Sequence, residues 1–372
     1  MLKVGIVGCG KIADAHAAQI QRISACEIVG VCDREPLMAR QLADRFRIKR
    51  CYTDLQTLLA EAQPDVVHIA TPPEKHFNLA KICLEAGSHV YVEKPFAINE
   101  PEVQALINLA NERGLKLTAG HDDQFSHVAQ RLRATVQSGF LGDKIVHMES
   151  YYGYEFSESG YPGALLSDKN HWVRKLPGKL LHNIISHGIA RIAEYLIDDH
   201  PQVVAQGFPS QFLQDRGESE FIDELRVLIT DKSGVTAYFV FSSQMRPSLH
   251  LFRIYGNRNG AILDQDQETL IKLRGARYKS YAEKFVPPVT FAKQYLANLR
   301  ANLGQFWARE FQMKAGMKDL IDSFYRSIED GAPLPIPYRE ILLTARIMDS
   351  IFSQLATEQS SQRKQMSLQS IP

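Results

Sequence analysis

The chain has 372 residues, 45% of them hydrophobic and 23% charged. That globular composition excludes wholesale disorder and a single small module, and it points to two domains at roughly 100–200 residues each. Lys plus Arg number 43 against 42 Asp plus Glu, so no global field draws in nucleic acid or an anionic membrane, and such a partner needs a local patch.

From residue 1 to about 122, apolar runs at 3–8, 27–33, 65–72, 88–95 and 115–120 alternate with segments of helical spacing at 12–23, 37–46, 55–61, 77–86 and 102–112. Runs apolar on both faces and separated by helices predict a parallel sheet covered on each side, a doubly wound α/β domain. The first run leads straight into Gly8-Cys9-Gly10-Lys11-Ile12-Ala13, which matches G-x-G-x-x-[GA]. Gly8 permits the tight turn, Gly10 lets backbone amides approach a pyrophosphate, Lys11 and Ile12 open the helix, and Ala13 is small enough for helix to pack on strand. The second strand ends in Asp33, at the spacing where a carboxylate meets the adenosine ribose diol. Asp33 favours NAD. Arg34 beside it has the reach for a 2′-phosphate, so NADP stays as the alternative. Glu93-Lys94-Pro95 closes a strand at the edge where open α/β sheets bind ligands. A lysine there can steady charge developing on a substrate oxygen, although an exposed strand-end lysine is the plainer reading of the tripeptide alone.

After residue 140 the strands lengthen and alternate, at 144–155, 203–208, 224–231, 235–243, 250–257 and 269–274, with turn signals such as Asp231-Lys232-Ser233-Gly234 between them. An α+β domain with an open, mostly antiparallel sheet is expected. Helices are expected at 180–196 and at 318–355, the second broken at Pro333, Pro335 and Pro337. On the first, Leu181, Ile184, Ile185, Ile189, Ile192 and Leu196 form an apolar stripe and Asn183, His187 and Arg191 the opposite side, which keeps His187 out of the core. The expected domains are 1–122, 123–356 and a disordered Gln/Ser-rich tail, 357–372.

Between Lys272 and Lys318 stand ten basic and two acidic residues, interleaved with aromatic ones. This stretch reads as an arm packing across the sheet or onto a neighbouring subunit, or as a contact for a membrane or anionic ligand. Tyr151, Tyr152, Tyr154, Phe156 and Tyr161 make a second aromatic cluster that suits sheet packing or stacking on a ligand. Five cysteines, all within the first 83 residues and without a C-x-x-C pair, form neither a disulfide framework nor a zinc site. No metal is expected. A strand beginning at Lys3 leaves no signal peptide in view, and no apolar run approaches the roughly 18 residues of a membrane span, so the expectation is a cytoplasmic protein.

Thr71-Pro72-Pro73 followed by His76, and Ala86-Gly87-Ser88-His89-Val90 leading into Glu93-Lys94-Pro95, resemble the Gfo/Idh/MocA family (glucose-fructose oxidoreductase, inositol dehydrogenase), whose loops read T-P-x-x-x-H and A-G-x-H-V-x-x-E-K-P. The resemblance implies a Rossmann domain and a carboxy-terminal domain with an open antiparallel sheet. It implies a nicotinamide cofactor contacted by Thr71, Pro72, His76, Glu93 and Lys94, and a sugar, polyol or nucleotide-linked sugar as substrate. The open sheet predicts a homo-oligomer, dimer or tetramer. Leu176 to His187 follows the family form G-G-x-L-x-D-x-G-x-H with Asn183 in place of the aspartate and Ile185 in place of the glycine. His187 then carries the proton transfer, or shares it with Lys94, while Asn183 positions the substrate hydroxyl. Where the family often has G-Y-x-x-R-F, this chain has His121 for the aromatic residue and Gln124 for the arginine. His121, Tyr152, Trp172, His182 and Asn183 are the candidate substrate contacts. The expected activity is NAD(P)-dependent hydride transfer at a secondary alcohol or ketone. The alternatives are an NAD-dependent glycosidase that oxidises transiently and a non-catalytic NAD(P)-binding sensor.

Overall fold

The computed structural model describes residues 1–155, 165–218, 221–275, 278–311 and 314–369. The chain divides into two compact units, Met1–Ser126 with Lys314–Ala345 and His127–Met313 with Arg346–Pro372.

The first unit contains β1 (Leu2–Val7), α1 (Lys11–Ile20), β2 (Cys26–Cys32), α2 (Pro36–Phe46), β3 (Cys51–Tyr52), α3 (Leu55–Ala62), β4 (Val66–Ile69), α4 (His76–Glu85), β5 (His89–Val92), α5 (Glu100–Glu112) and β6 (Leu117–Ala119). Each expected strand and helix is present within a few residues, and β3 is too short for a run to reveal it. The sheet order is β3-β2-β1-β4-β5-β6, with every pair parallel. Val4, Ile6, Val66, Val67 and Val90 have no exposed surface because helices cover both faces. Strand order reverses between β1 and β4, which opens a crevice at the carboxyl ends of the strands. Asp54 and Asn99 cap α3 and α5 by accepting from the backbone N–H groups of Thr57 and Glu102.

The second unit contains α6 (His127–Gln137), β7 (Ile145–Gly153), α7 (Lys179–Ile184), α8 (Ser186–Ala193), β8 (Gln202–Phe208), α9 (Gln211–Gln214), β9 (Glu224–Thr230), β10 (Thr236–Ser242), β11 (His250–Gly256), β12 (Asn259–Asp264), β13 (Thr269–Arg274) and α10 (Ala282–Trp307). Its sheet order is β13-β12-β11-β7-β10-β9-β8. Pairing is antiparallel except between β7 and β10. Leu225, Val227, Ile229, Ala237, Phe239 and Phe241 bury one face, whereas Val146, Val204, Leu228 and Tyr238 on the other are exposed. Strand β12 lay hidden because Asn259-Gly260 reads as a turn.

Two helices follow, α11 (Ala315–Glu329) and α12 (Tyr338–Gln369). Three expectations are corrected here. Lys314–Ala345 belongs with the first unit, not with a domain running 123–356, because Met317, Leu320, Ile321, Phe324 and Tyr325 are buried in the core of the parallel-sheet unit. Periodicity shows that a helix has an apolar face, not which sheet that face covers. The tail expected to be disordered continues α12 to Gln369; it contains no glycine, and no proline before Pro372, so little opposes propagation of an established helix. The helix expected at 180–196 is two helices, and α8 is buried on every side, His187 and Arg191 included. Gly188 lies against the Phe239 ring and leaves no space there for a Cβ, so α8 sits directly on the sheet.

Candidate active site

Every loop that matters in the first unit lies at the carboxyl edge of its sheet. After β1, Gly8 has φ +88°, and a Cβ there would stand 2.8 Å from the Ala70 backbone and from the Thr71 side chain. Only glycine fits. Gly10 differs, since a Cβ on it would meet nothing within 4 Å. The open volume lies at the N-terminus of α1, where amides and helix dipole favour a pyrophosphate. Ala13 is fully buried. After β2, Asp33 accepts from the Cys9 N–H at 2.8 Å and from the Glu35 N–H at 2.9 Å, so its carboxylate is held beside the glycine loop. Arg34 is exposed. These features fit a dinucleotide with a free ribose diol.

After β4, Thr71 is half-buried and Pro72 exposed. His76 is buried, with Nε2 2.7 Å from the Thr71 carbonyl and Nδ1 2.9 Å from the Pro95 carbonyl. It ties the loop after β4 to the loop after β5 and acts as a strut. Glu93 and Lys94 follow β5. Glu93 is buried, its Oε2 accepts from the Lys94 N–H at 3.1 Å, and its Oε1 lies 3.0 Å from His16 Nε2. Burial raises the Glu93 carboxyl, but the His16 hydrogen bond and the nearby cations Lys94 and Lys314 outweigh it and bring the pKa to about 2. Lys94 is half-buried, and desolvation draws its pKa below the usual lysine value, partly offset by Glu93. Gly120 leaves room for this arrangement, since a Cβ there would stand 2.9 Å from Glu93 Oε1. His121 is buried and held at about 4, by burial first and then by the Lys94 charge, so it is neutral at pH 7.

Two features of this cluster escape sequence reasoning. Lys314, just before α11, pairs with Asp122 at 3.1 Å. It has φ +70°, and Gly316 beside it lies so close to the Asp122 and Ser126 backbone that no Cβ would fit. The carboxylates Asp122, Asp123 and Glu93 raise the Lys314 pKa against the effect of burial. No local signal marks a lysine that reaches the site from almost two hundred residues away. The second feature is a buried chain beneath Glu93: His16 Nδ1 is 3.0 Å from His68 Nδ1, and His68 Nε2 is 2.9 Å from the Tyr325 hydroxyl. One direction of donation satisfies all three contacts, from Tyr325 through His68 and His16 to the Glu93 carboxylate.

In the second unit, His187 lies stacked 6.4 Å from Tyr152, which meets the His250 ring edge-on at 4.2 Å. His250 Nδ1 is 2.7 Å from Asp266. Asn183 on α7 is half-buried, and Trp172 stacks on His171 at 5.6 Å. His182 is buried against the Phe352 ring at 4.9 Å, a packing position. Of the aromatic cluster after β7, Phe156 and Tyr161 lie outside the described residues.

Residues 2–121 match the sequence profile of the Gfo/Idh/MocA oxidoreductase family with an NAD-binding Rossmann fold. The amino-terminal domain is thus similar to that family's NAD-binding domain. Over 148 residues it is 34% identical to UDP-N-acetylglucosamine 3-dehydrogenase of Acidithiobacillus ferrooxidans, covering 40% of this chain and 45% of that protein. Over 143 residues it is 33% identical to D-glucoside 3-dehydrogenase of Escherichia coli, covering 38% and 41%. The matched stretch thus spans less than half of either relative. In three dimensions, the WlbA dehydrogenase from Bordetella pertussis, solved with NADH and UDP-GlcNAcA, superposes with a TM-score of 0.76 at 17% identity over 96% of both chains. An NAD-binding oxidoreductase from Klebsiella pneumoniae gives 0.77 at 18%, over 96% of this chain and 97% of that one. At such identities the likeness shows the fold alone, a parallel-sheet domain followed by one with an open, mostly antiparallel sheet.

Proposed function

We propose that this chain is an NAD-dependent dehydrogenase or reductase of the Gfo/Idh/MocA family, acting on a secondary alcohol or ketone of a sugar, polyol or nucleotide-linked sugar. The observation that carries the reading is the grouping of Gly8, Gly10, Asp33, Glu93, Lys94 and His121 along one sheet edge. The nicotinamide, when bound, supplies or takes up the hydride. The chain's own residues handle binding and protons. The Gly10 amide and the α1 N-terminus would hold the pyrophosphate, and Asp33 would take the ribose diol in preference to a 2′-phosphate. Lys94, with its proton loosened by burial, is suited to exchange a proton with the reacting oxygen. His121, neutral beside it, can accept or donate a hydrogen bond to the same substrate. In the second unit, His187 is the second candidate for proton transfer and Asn183 for orienting a hydroxyl, with Tyr152 and Trp172 as stacking surfaces. The relatives' printed substrates, UDP-N-acetylglucosamine and D-glucosides, point to C3 oxidation of a hexose.

Among the described residues no helix is long and apolar enough to cross a membrane, and five free thiols suit a reducing cytoplasm. The exposed apolar face of the seven-stranded sheet suits a dimer or tetramer. The test is mass spectrometry of the ligand that co-purifies, followed by turnover on UDP-N-acetylglucosamine and simple glucosides. NAD bound and its reduced form accumulating supports the reading. Glycoside cleavage without net reduction would contradict it.

A further inference from the structure

Helix α10 is built inside out. Its inward face is polar: Gln294 bonds the Lys272 backbone, Asn298 the Leu270 N–H and carbonyl, and Asn302 the Gln267 carbonyl. Spaced four apart, these three side chains satisfy the free backbone groups of edge strand β13 and the turn before it. Asn298 is the buried one. The face turned to solvent is apolar. Phe285, Val289, Leu296, Leu299, Leu303 and Phe306 recur at helical spacing and are all exposed. Phe285 is 68% exposed and Trp307 78%. At 1.5 Å per residue the stripe extends over about 30 Å, too large to be scattered surface hydrophobics.

We propose that α10 is an interfacial helix that seats this chain on an anionic lipid bilayer, lying flat with the stripe in the headgroup region. Charge decides the occupant. Lys293 and Arg300 stand seven apart along one border of the stripe, and Lys284 and Arg309 stand near its ends, all exposed. The helix has one carboxylate, Glu283, and it accepts from the Tyr278 N–H at its own N-terminus. A second copy docking antiparallel along the stripe would set Lys293 and Arg300 against their own counterparts with no acid to answer them. Anionic headgroups supply the missing charge. Aromatic residues mark both ends, Tyr281 and Phe285 at one and Phe306 and Trp307 at the other, which suits the interface between tails and headgroups. Polar side chains pin the helix to the sheet edge, so the apolar side is already turned outward without rearrangement.

The experiment is co-sedimentation of the full chain with phosphatidylcholine vesicles, with and without phosphatidylglycerol, alongside sedimentation-equilibrium mass. Binding is expected to vesicles containing phosphatidylglycerol alone and to weaken as salt is raised. Trp307 emission, read in a Trp172→Phe background, should shift to the blue. Lys293→Glu with Arg300→Glu, and separately Leu296→Glu with Leu303→Glu, should each reduce binding on the order of tenfold or more while the thermal midpoint and NAD binding are retained. Failure of the wild-type chain to bind phosphatidylglycerol vesicles overturns the proposal. So does a fall in mass on Leu296→Glu with Leu303→Glu, which would assign the stripe to a second copy.

Discussion

Glu93 and His16 meet at 3.0 Å with both side chains buried, and His16 passes the contact on through His68 to Tyr325 on α11. The carboxylate next to Lys94 is therefore held from beneath by a segment more than two hundred residues away in sequence. Removing His16 leaves Glu93 Oε1 without its imidazole donor and His68 Nδ1 without its ring partner. His16→Ala is expected to cost about 3 kcal/mol in urea unfolding. Tyr325→Phe, which removes only the far end of the chain, should cost about 1 kcal/mol. The two losses should not add in the double variant, and strict additivity would show that no relay joins them.

The two loop glycines separate folding from binding. Gly8→Ala forces a side chain into a left-handed position against the Ala70 backbone, and should lower stability by about 1–3 kcal/mol. Gly10→Ala adds a Cβ that meets nothing within 4 Å and should leave the thermal midpoint almost unchanged while NAD binding, read by calorimetry, weakens sharply. A Gly10→Ala protein that binds NAD normally would show that the open volume is not the pyrophosphate site.

Much of this was legible beforehand. Gly8 to Ala13, Asp33 and Glu93-Lys94-Pro95 announce themselves because their chemistry is local: each motif sits in one turn, and strand ends place it. Lys314, Tyr325 and His16 did not, because what makes them matter is tertiary. Lys314 read as one more charge in a basic stretch until α11 packed its apolar face into the first unit. His187 was expected on a polar face clear of the core and is buried, because a helical wheel registers the packing on one side and not on both.

Lys314→Met should leave Asp122 buried among Asp123 and Glu93 without its cation. The expected loss is about 2 kcal/mol, given that the lysine is partly exposed to screening solvent. Lys314→Arg should recover most of it. If Lys314→Met unfolds at the wild-type urea midpoint, the pair contributes nothing to the fold.

Stability should peak between about pH 6.5 and 9. Burial holds His68, His76 and His121 below the ordinary 6.5. The unfolded chain binds those protons first, so stability falls as pH drops through about 6.5. Burial lifts the Cys9 and Cys83 thiols to about 12 and Cys32 to about 11, from an ordinary 9.0. The unfolded chain ionises first there, and stability falls as pH rises through about 9. A urea midpoint that stayed level from about pH 7 down to pH 5 would contradict the histidine half of this account.

The central claim is that Lys94 exchanges the proton during hydride transfer. Its most direct test is the initial rate of NAD reduction with UDP-N-acetylglucosamine, or whichever simple glucoside proves the better substrate, for wild type and Lys94→Ala. The account predicts a loss on the order of 10²–10⁴-fold in kcat with NAD affinity retained. A Lys94→Ala protein that reduced NAD at the wild-type rate would contradict it.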